Sequence, residues 1–302
     1  MRRASVLAVV ATLVLGCQSA PPSTPAPTLT AVSTQAIAPS PTILPTPTAP
    51  APSPEPTIDP GVQTIEDAII ETVRKRNVSV DIKVEITDAP GLDDGTVTAS
   101  GVASLGLPMQ ISLKGDYTVA GLGKVEMIVD DHLFYMRGKT LNSTVGKGNW
   151  LLIDTNSTDP RAAAFRSVVE GQNDMRLSIH FLWGATKVEQ LRSEAAGGEF
   201  GTFSDHYKVT VDLARSAFFA PESLQHELFN NISALRFAGI GDRIVEDVWI
   251  GGDGVIHQLY VTFEFGASGR IQRQYQFWNF GAALKLPIPR KADVVRLEDL
   301  PA

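Results

Sequence analysis

Residues 78–87 alternate between apolar and polar side chains, with valine or isoleucine at every even position from 78 to 86. A period of two predicts a β-strand that has one buried and one exposed face. Similar runs follow, separated by turns rich in glycine, aspartate and proline, at residues 96–105, 109–119, 124–129, 133–137, 150–154, 202–212, 243–250, 255–265 and 270–280. Because most connections are too short for crossover helices, we predict an antiparallel meander.

Helical spacing of apolar residues appears between these strands. The domain opens with a helix whose N-cap is Thr64 and whose apolar face lies between residues 65 and 73. Further helices are predicted at residues 159–170, 175–192 and 213–230, the second being interrupted near Trp183. The order of elements predicts an α+β fold, in which a helical insertion covers one face of a large antiparallel sheet.

The N-terminus has a different pattern, in which Arg2 and Arg3 precede an apolar run over residues 6–15 and then Cys17. This resembles the signal peptide of a bacterial lipoprotein, in which Cys17 receives acyl chains such as palmitate and becomes the new N-terminus. An ordinary secretory signal and a single spanning helix are the alternatives, but a span needs about 20 apolar residues. We predict a signal peptide over residues 1–16 and an extracytoplasmic protein that lipid at Cys17 anchors to the bacterial cell membrane.

Residues 17–61 change the composition sharply. Thirteen of the 20 prolines lie between Pro21 and Pro60, interleaved with threonine, serine and alanine. Such a segment buries too little apolar surface to offset its ordering entropy, so it is predicted to be a disordered tether. The rest, residues 62–302, shows no repeat and no second linker and is predicted to be a single domain.

Charge and cysteine content exclude some functions. The formal net charge is −7, and removal of the signal peptide takes it to −9. An acidic chain without clustered lysine and arginine is a poor candidate for binding nucleic acid. Cys17 is the only cysteine, so the domain has no disulfide, and acylation accounts for the odd residue.

Catalytic and metal-binding patterns are absent from the sequence. His226 and Glu227 begin a segment like the zinc-protease motif H-E-x-x-H, but Asn230 stands where the second histidine is required. The adjacent carboxylates at residues 93–94 and 130–131 are read as turn residues, since neighbours on a strand point to opposite faces. No catalytic residue, metal ligand or cofactor is therefore predicted, and the protein is not expected to be an enzyme.

The strands and the helical insertion carry many large apolar side chains. Core packing accounts for most of them, yet a sheet closed by helices can also leave a cavity that binds an apolar ligand. The candidate ligand-binding residues are Phe134, Met136, Phe165, Trp183, Phe218 and Phe219.

Four segments carry a resemblance to a known family: residues 124–135 (KVEMIVDDHLFY), 148–154 (GNWLLID), 207–212 (YKVTVD) and 248–261 (VWIGGDGVIHQLYV). With the N-terminal cysteine motif, they resemble the LppX/LprG type of actinobacterial lipoprotein and, more distantly, the LolA/LolB carriers. The resemblance implies a sheet curled as a half-barrel, helices covering its concave face, and a pocket for acyl chains between them. Only Cys17 matches a family site. The long tether departs from the family and favours a fixed binder over a shuttling carrier.

Three functions are consistent with these observations. The first is a membrane-anchored lipoprotein that binds or carries a lipid or acylated ligand in an apolar cavity. The alternative is a non-enzymatic interaction or structural module of the cell envelope, whose protein partner the sequence does not identify. The third is an enzyme of unfamiliar type.

Overall fold

The computed structural model describes residues 59–89, 93–118, 121–162, 175–196, 201–266 and 269–301. Several predicted features lie outside these residues: the signal peptide, Cys17, the tether as far as residue 58, Phe165, and the predicted helix at 159–170 beyond residue 162.

Twelve strands of the described chain form one open sheet, in the order β12-β6-β5-β4-β3-β2-β1-β11-β10-β9-β8-β7. The strands are β1 (Asn77–Thr87), β2 (Gly95–Ser104), β3 (Gln110–Tyr117), β4 (Gly123–Asp130), β5 (Leu133–Gly138), β6 (Trp150–Asp154), β7 (Ala185–Ala196), β8 (Thr202–Asp212), β9 (Arg243–Gly251), β10 (Ile256–Phe265), β11 (Gly269–Trp278) and β12 (Val294–Arg296). The helices are α1 (Pro60–Arg74), α2 (Asn142–Val145), α3 (Met175–Phe181), α4 (Leu213–Phe219) and α5 (Glu222–Phe237). This large curled sheet with helices confirms the predicted α+β half-barrel.

Strand register places the buried positions of the sheet on one face. Val80 of β1 lies opposite Phe277 of β11 and Gly101 of β2, and this row continues to Met136 of β5. The helices pack on this face, where the ring of Phe181 in α3 meets that of Phe263 in β10 edge-on at 6.5 Å. We call it the helix-covered face, and it holds the main hydrophobic core.

The opposite face, here the outer face, carries a smaller apolar cluster of Ile128, Tyr135 and Trp150. Leu286 and Val294 of the C-terminal segment pack against this cluster, and β12 pairs with β6 in parallel. The sequence analysis did not predict β12, because a strand of three residues is too short to show a period.

Helix α1 begins earlier than predicted. Its N-cap is Asp59, whose side chain accepts a hydrogen bond from the Gly61 backbone N–H at 2.8 Å, and Pro60 occupies the first turn. Thr64 lies within the helix and donates its hydroxyl to the Pro60 carbonyl. The prediction of Thr64 as the cap was therefore wrong. Pro60 is suited to a first helical turn, but the sequence analysis had assigned it, with the prolines before it, to the predicted tether.

The predicted helix over residues 175–192 was wrong in its second half. Helix α3 ends at Phe181, a 3₁₀ turn covers Leu182–Gly184, and residues 185–196 form the edge strand β7. The sequence of β7 has three alanines and two glutamates, which favour helices, but pairing with β8 along its length decides its conformation. Most of its side chains are exposed, so no alternation marks the strand. The helix predicted over 213–230 is two helices, α4 and α5, since Pro221 interrupts it.

Candidate functional site

A cleft of about 560 Å³ opens among helix α1, the β2–β3 loop, α3 and the connection between α4 and α5. Its volume lies in the range typical of small-molecule sites. Its walls are mainly apolar and include Ile69, Ile70, Leu105, Leu107, Trp183 and Leu224.

Helix α1 supplies one wall of the cleft through Ile69 and Ile70. Ile69 is fully buried, whereas the next residue, Ile70, is 44% exposed at the rim. On the opposite side, Leu105 is buried and Leu107 is 65% exposed. The cleft thus passes from a dry interior to a rim of exposed aliphatic side chains, which is a surface suited to an apolar ligand.

Arg176 of α3 places a buried cation in the wall of this apolar cleft. Its guanidinium donates to the Gly106 carbonyl at 3.4 Å through Nη1 and to Glu227 Oε1 of α5 at 3.4 Å through Nη2. A buried charge is costly unless it is paired and hydrogen-bonded. Arg176 therefore ties the β2–β3 loop to α5 and keeps positive charge beside the cleft.

Trp183 supplies a second polar group. Its indole ring lines the cleft, and its Nε1–H is buried with no hydrogen-bond acceptor among the described residues. A buried N–H normally finds an acceptor, and leaving it without one costs about 1–3 kcal/mol. The cleft thus combines apolar walls with a lining residue whose buried N–H has no acceptor among the described residues.

The predicted ligand-binding residues are not gathered at one site. Trp183 lines the cleft, whereas Phe134 and Met136 are buried in β5 on the helix-covered face and do not line it. Phe218 and Phe219 of α4 are 75% and 48% exposed, with their rings in edge contact at 5.1 Å. Cys17 and Phe165 lie outside the described residues.

The sequence analysis missed Arg176, Ile70 and Leu107. The sequence signal for Arg176 was its position as the arginine of an otherwise largely apolar segment, residues 175–181. The structure shows that every residue of this helix is buried. Ile70 and Leu107 had no such signal, because an exposed aliphatic residue acquires meaning only from its spatial neighbours.

A buried carboxyl group lies elsewhere on the helix-covered face. Glu246 of β9 is fully buried between Val209 of β8 and Val261 of β10, and both carboxyl oxygens lack a hydrogen-bond partner among the described residues. Burial raises the pKa of Glu246 well above its ordinary value, because desolvation disfavours the charged form of the carboxyl group. It does not line the cleft.

No group of three or more histidine, cysteine, aspartate or glutamate side chains within the described ranges has an arrangement that could hold a metal ion. Among the same residues, no helix has both the length and the hydropathy needed to cross a bilayer.

Comparison with known proteins found no matching family model and no matching curated protein. Solved structures do match. LprF from Mycobacterium bovis has 12% sequence identity and a TM-score of 0.46, with 76% of this chain and 96% of LprF covered. The Mycobacterium tuberculosis lipoprotein LppX has 12% identity and a TM-score of 0.44, with 74% of this chain and 96% of LppX covered. LppX, whose type the sequence resembles, is thus one of the solved structures to which this chain is similar.

Proposed function

We propose that this protein is a non-enzymatic, membrane-anchored lipoprotein that binds the acyl chain of a lipid or acylated ligand in the cleft beside α1. The observation that carries the proposal is the combination of apolar walls with the buried Nε1–H of Trp183, which has no acceptor among the described residues. Such a site binds an amphiphile, whose chain covers the aliphatic side chains and whose oxygen atoms accept from the polar group.

The polar groups indicate the kind of head group. Arg176 holds a positive charge beside the cleft while it contacts Glu227, and Trp183 offers an uncharged donor. A carboxylate, phosphate or ester oxygen would gain a charge-assisted or neutral hydrogen bond there. We infer that the ligand carries its oxygen-rich group on the α3 side and its chain along Ile69 and Leu105.

The proposed location rests on the N-terminal sequence. Acylation of Cys17 after removal of residues 1–16 would hold the protein at the outside of the cell membrane, and two or more acyl chains give stable anchoring. The proline-rich residues 18–58 would then separate the cleft from the lipid surface. A tethered domain of this kind is suited to binding ligand near the membrane.

The test is the non-covalent lipid content of the full chain, purified from membranes in non-ionic detergent. Organic extraction followed by mass spectrometry counts the acyl species that are released, while the anchor chains remain covalently attached to the protein. We expect a fixed stoichiometry of released acyl species per chain.

A pair of substitutions locates the binding. Ile70 lines the cleft and Ile288 does not, yet both are 44% exposed, so Ile70→Glu and Ile288→Glu make the same change at equal exposure. Ile70→Glu should lower the released acyl content severalfold, and Ile288→Glu should leave it unchanged. Wild-type chain without extractable acyl species, or an equal response of both variants, would refute the proposal and favour a protein-interaction module.

A further inference from the structure

The outer face of the sheet contains a second concave site, a groove of about 950 Å³ across strands β11, β1, β2, β3, β4 and β5. It lies on the side of these strands opposite the main core, because its charged and amide side chains occupy the positions that alternate with the core residues. Asn142 of α2 also lines it. The groove is therefore separate from the apolar cleft, and nothing in the proposed acyl binding requires it.

Strand register aligns the polar residues of the groove in two rows. One row runs across neighbouring strands through Gln276, Asp81, Ser100, Lys114, Glu126 and Arg137. The next runs through Gln274, Lys83, Thr98, Asp116 and Lys124. Each row crosses several strands, so the groove presents polar groups along a line rather than at a point.

Charge in the groove has the opposite sign to the charge of the whole chain. The lining contains six cationic side chains, Lys83, Lys114, Lys124, Arg137, Lys139 and Lys147, and three acidic ones, Asp81, Asp116 and Glu126. The chain as a whole has a formal charge of −7. A local excess of positive charge in an acidic protein concentrates anions at that site.

Two of the three acidic residues of the groove already have partners. Glu126 contacts Arg137 at 2.9 Å and Lys114 at 3.7 Å. Asp116 accepts hydrogen bonds from the hydroxyl and the backbone N–H of Thr118, and these bonds, with the nearby charge of Lys124, lower its pKa. The carboxylates of Glu126 and Asp116 are thus held by groups of the protein, whereas Asp81 forms no ion pair or hydrogen bond within the described residues, and burial raises its pKa.

Three lysines remain available. Lys124, Lys139 and Lys147 are exposed and form no ion pair within the part of the chain that the structure describes. The positive charge of Lys83 is partly offset by Glu85 beside the groove, because the Nζ of Lys83 lies 2.6 Å from Oε1 of Glu85. The three lysines lie along the β4–β5 side and the loop that follows β5, and they form the cationic rim of the groove.

We propose that this groove binds a linear polyanion whose phosphate or carboxylate groups are carried on a hydroxyl-bearing backbone. The cationic rim matches repeated negative charges, and amide and hydroxyl groups from Gln274, Gln276, Thr98 and Ser100 match the hydroxyl groups between them. The floor of the groove has no aromatic platform for stacking bases, which single-stranded nucleic acids require.

The test measures binding to the full chain in non-ionic detergent by isothermal titration calorimetry. The probes are poly(glycerol phosphate) and polygalacturonate, which carry phosphodiesters and carboxylates respectively, with neutral dextran as the uncharged polymer. We expect at least one polyanion to bind and dextran not to bind, and the stronger polyanion identifies the anionic group.

Two triple variants separate the groove from overall charge. Lys124→Gln, Lys139→Gln and Lys147→Gln together remove the rim, and the affinity should fall by about tenfold to a hundredfold. The control variant removes the same three positive charges at exposed positions that do not line the groove: Lys187→Gln, Lys208→Gln and Lys291→Gln. Its polyanion affinity should stay within about twofold of the wild-type affinity.

Several results would overturn the proposal: no binding of either polyanion, equal losses in the two triple variants, or rim-dependent binding to phosphatidylglycerol vesicles without binding to either polymer. The last result would assign the groove to a membrane surface. Ile70→Glu, which alters only the apolar cleft, should leave polyanion binding unchanged, so failure of the acyl-binding proposal and failure of this one are distinguishable.

Discussion

The two faces of the sheet differ by a shift of one residue along the same strands. On the helix-covered face, one row contains Phe277, Val80, Gly101, Leu113, Met127 and Met136. The neighbouring row on the outer face contains Gln276, Asp81, Ser100, Lys114, Glu126 and Arg137. Because strand side chains alternate between faces, one set of strands builds both an apolar core and a charged groove.

The difference between the faces determines what each can bind. Helices cover the first face and exclude water from it, so this face stabilises the fold mainly by burial of apolar side chains. For the same reason, its cleft accepts apolar groups. The polar rows of the outer face are open to solvent, so the charged side chains keep most of their solvation and can exchange partners. A slip of one residue in register would exchange these properties and would destroy both sites.

The largest expected contrast is between two adjacent residues of β11. Phe277 is fully buried on the helix-covered face, and truncation to alanine should lower the free energy of unfolding by about 3–5 kcal/mol. Gln276→Ala on the outer face should cost less than about 1 kcal/mol. Denaturant unfolding of the full chain measures both, and equal losses would contradict the assignment of the two faces.

The next test concerns the buried carboxyl group of Glu246 in the core. Its folded pKa is raised, so stability is highest below the ordinary glutamate pKa and falls as the pH rises from there through the raised value. Glu246→Gln should remove this fall, which amounts to about 1.4 kcal/mol per pH unit while the pH lies between the two pKa values.

Unfolding curves from pH 4 to pH 9 provide the measurement for Glu246. Glu264→Gln, at an exposed position of β10, is the matched control and should keep the wild-type pH profile. A Glu246→Gln profile parallel to that of the wild type would show that the carboxyl group is solvated or paired in solution.

A smaller effect is expected in the cleft from Trp183→Phe, which keeps an aromatic ring and removes the Nε1–H. If that donor meets a ligand oxygen, acyl affinity should fall about threefold to tenfold, as for one hydrogen bond of about 0.5–1.5 kcal/mol. Released acyl content at limiting ligand provides the readout. Trp278→Phe in β11, which does not line the cleft, should have no effect on it.

The smallest predicted effect is on the outer face. Arg137 lies over the Trp150 ring at 4.5 Å and contacts Glu126 at 2.9 Å. Because the guanidinium is partly exposed, Arg137→Gln should lower the free energy of unfolding by only about 0.5–1 kcal/mol. Arg192→Gln, where Arg192 pairs with Glu194 without a ring beneath it, should cost less than about 0.5 kcal/mol. Equal losses would show that the ring contact adds nothing.

Strands with one buried face were predictable from the sequence, and edge elements were not. The alternation at residues 78–87 identified β1 because its even positions face the core and its odd positions lie on the more polar outer face. Strand β7 escaped detection because both of its faces are largely exposed, so its conformation follows from pairing with β8. Strand β12 escaped because its three residues are held by β6 and the Trp150 cluster rather than by a pattern of their own.

Prediction of the candidate sites was more limited, because the role of a residue at a site depends on its spatial neighbours rather than on a local pattern. Large apolar residues were sensible candidates for a pocket, but their size does not show whether they line space, fill a core or face solvent. Trp183, Met136 and Phe218 occupy those three situations respectively. The lysines of the groove rim carried no signal, because they are scattered between residues 124 and 147 and gather only when β4, β5 and the following loop come together.

The sequence by itself determined the periodic strands, the acidic balance of the chain, the change in composition after the proline-rich segment, and the cysteine motif that predicts a lipid anchor. These are local or compositional properties, and they do not depend on which residues meet in space. Tertiary structure alone decided the path of the edge strands, the cleft beside α1 and the groove across β11 and β1–β5. Those features arise from strand register and from packing between distant segments, where a side chain acquires its role from neighbours that sequence separation conceals.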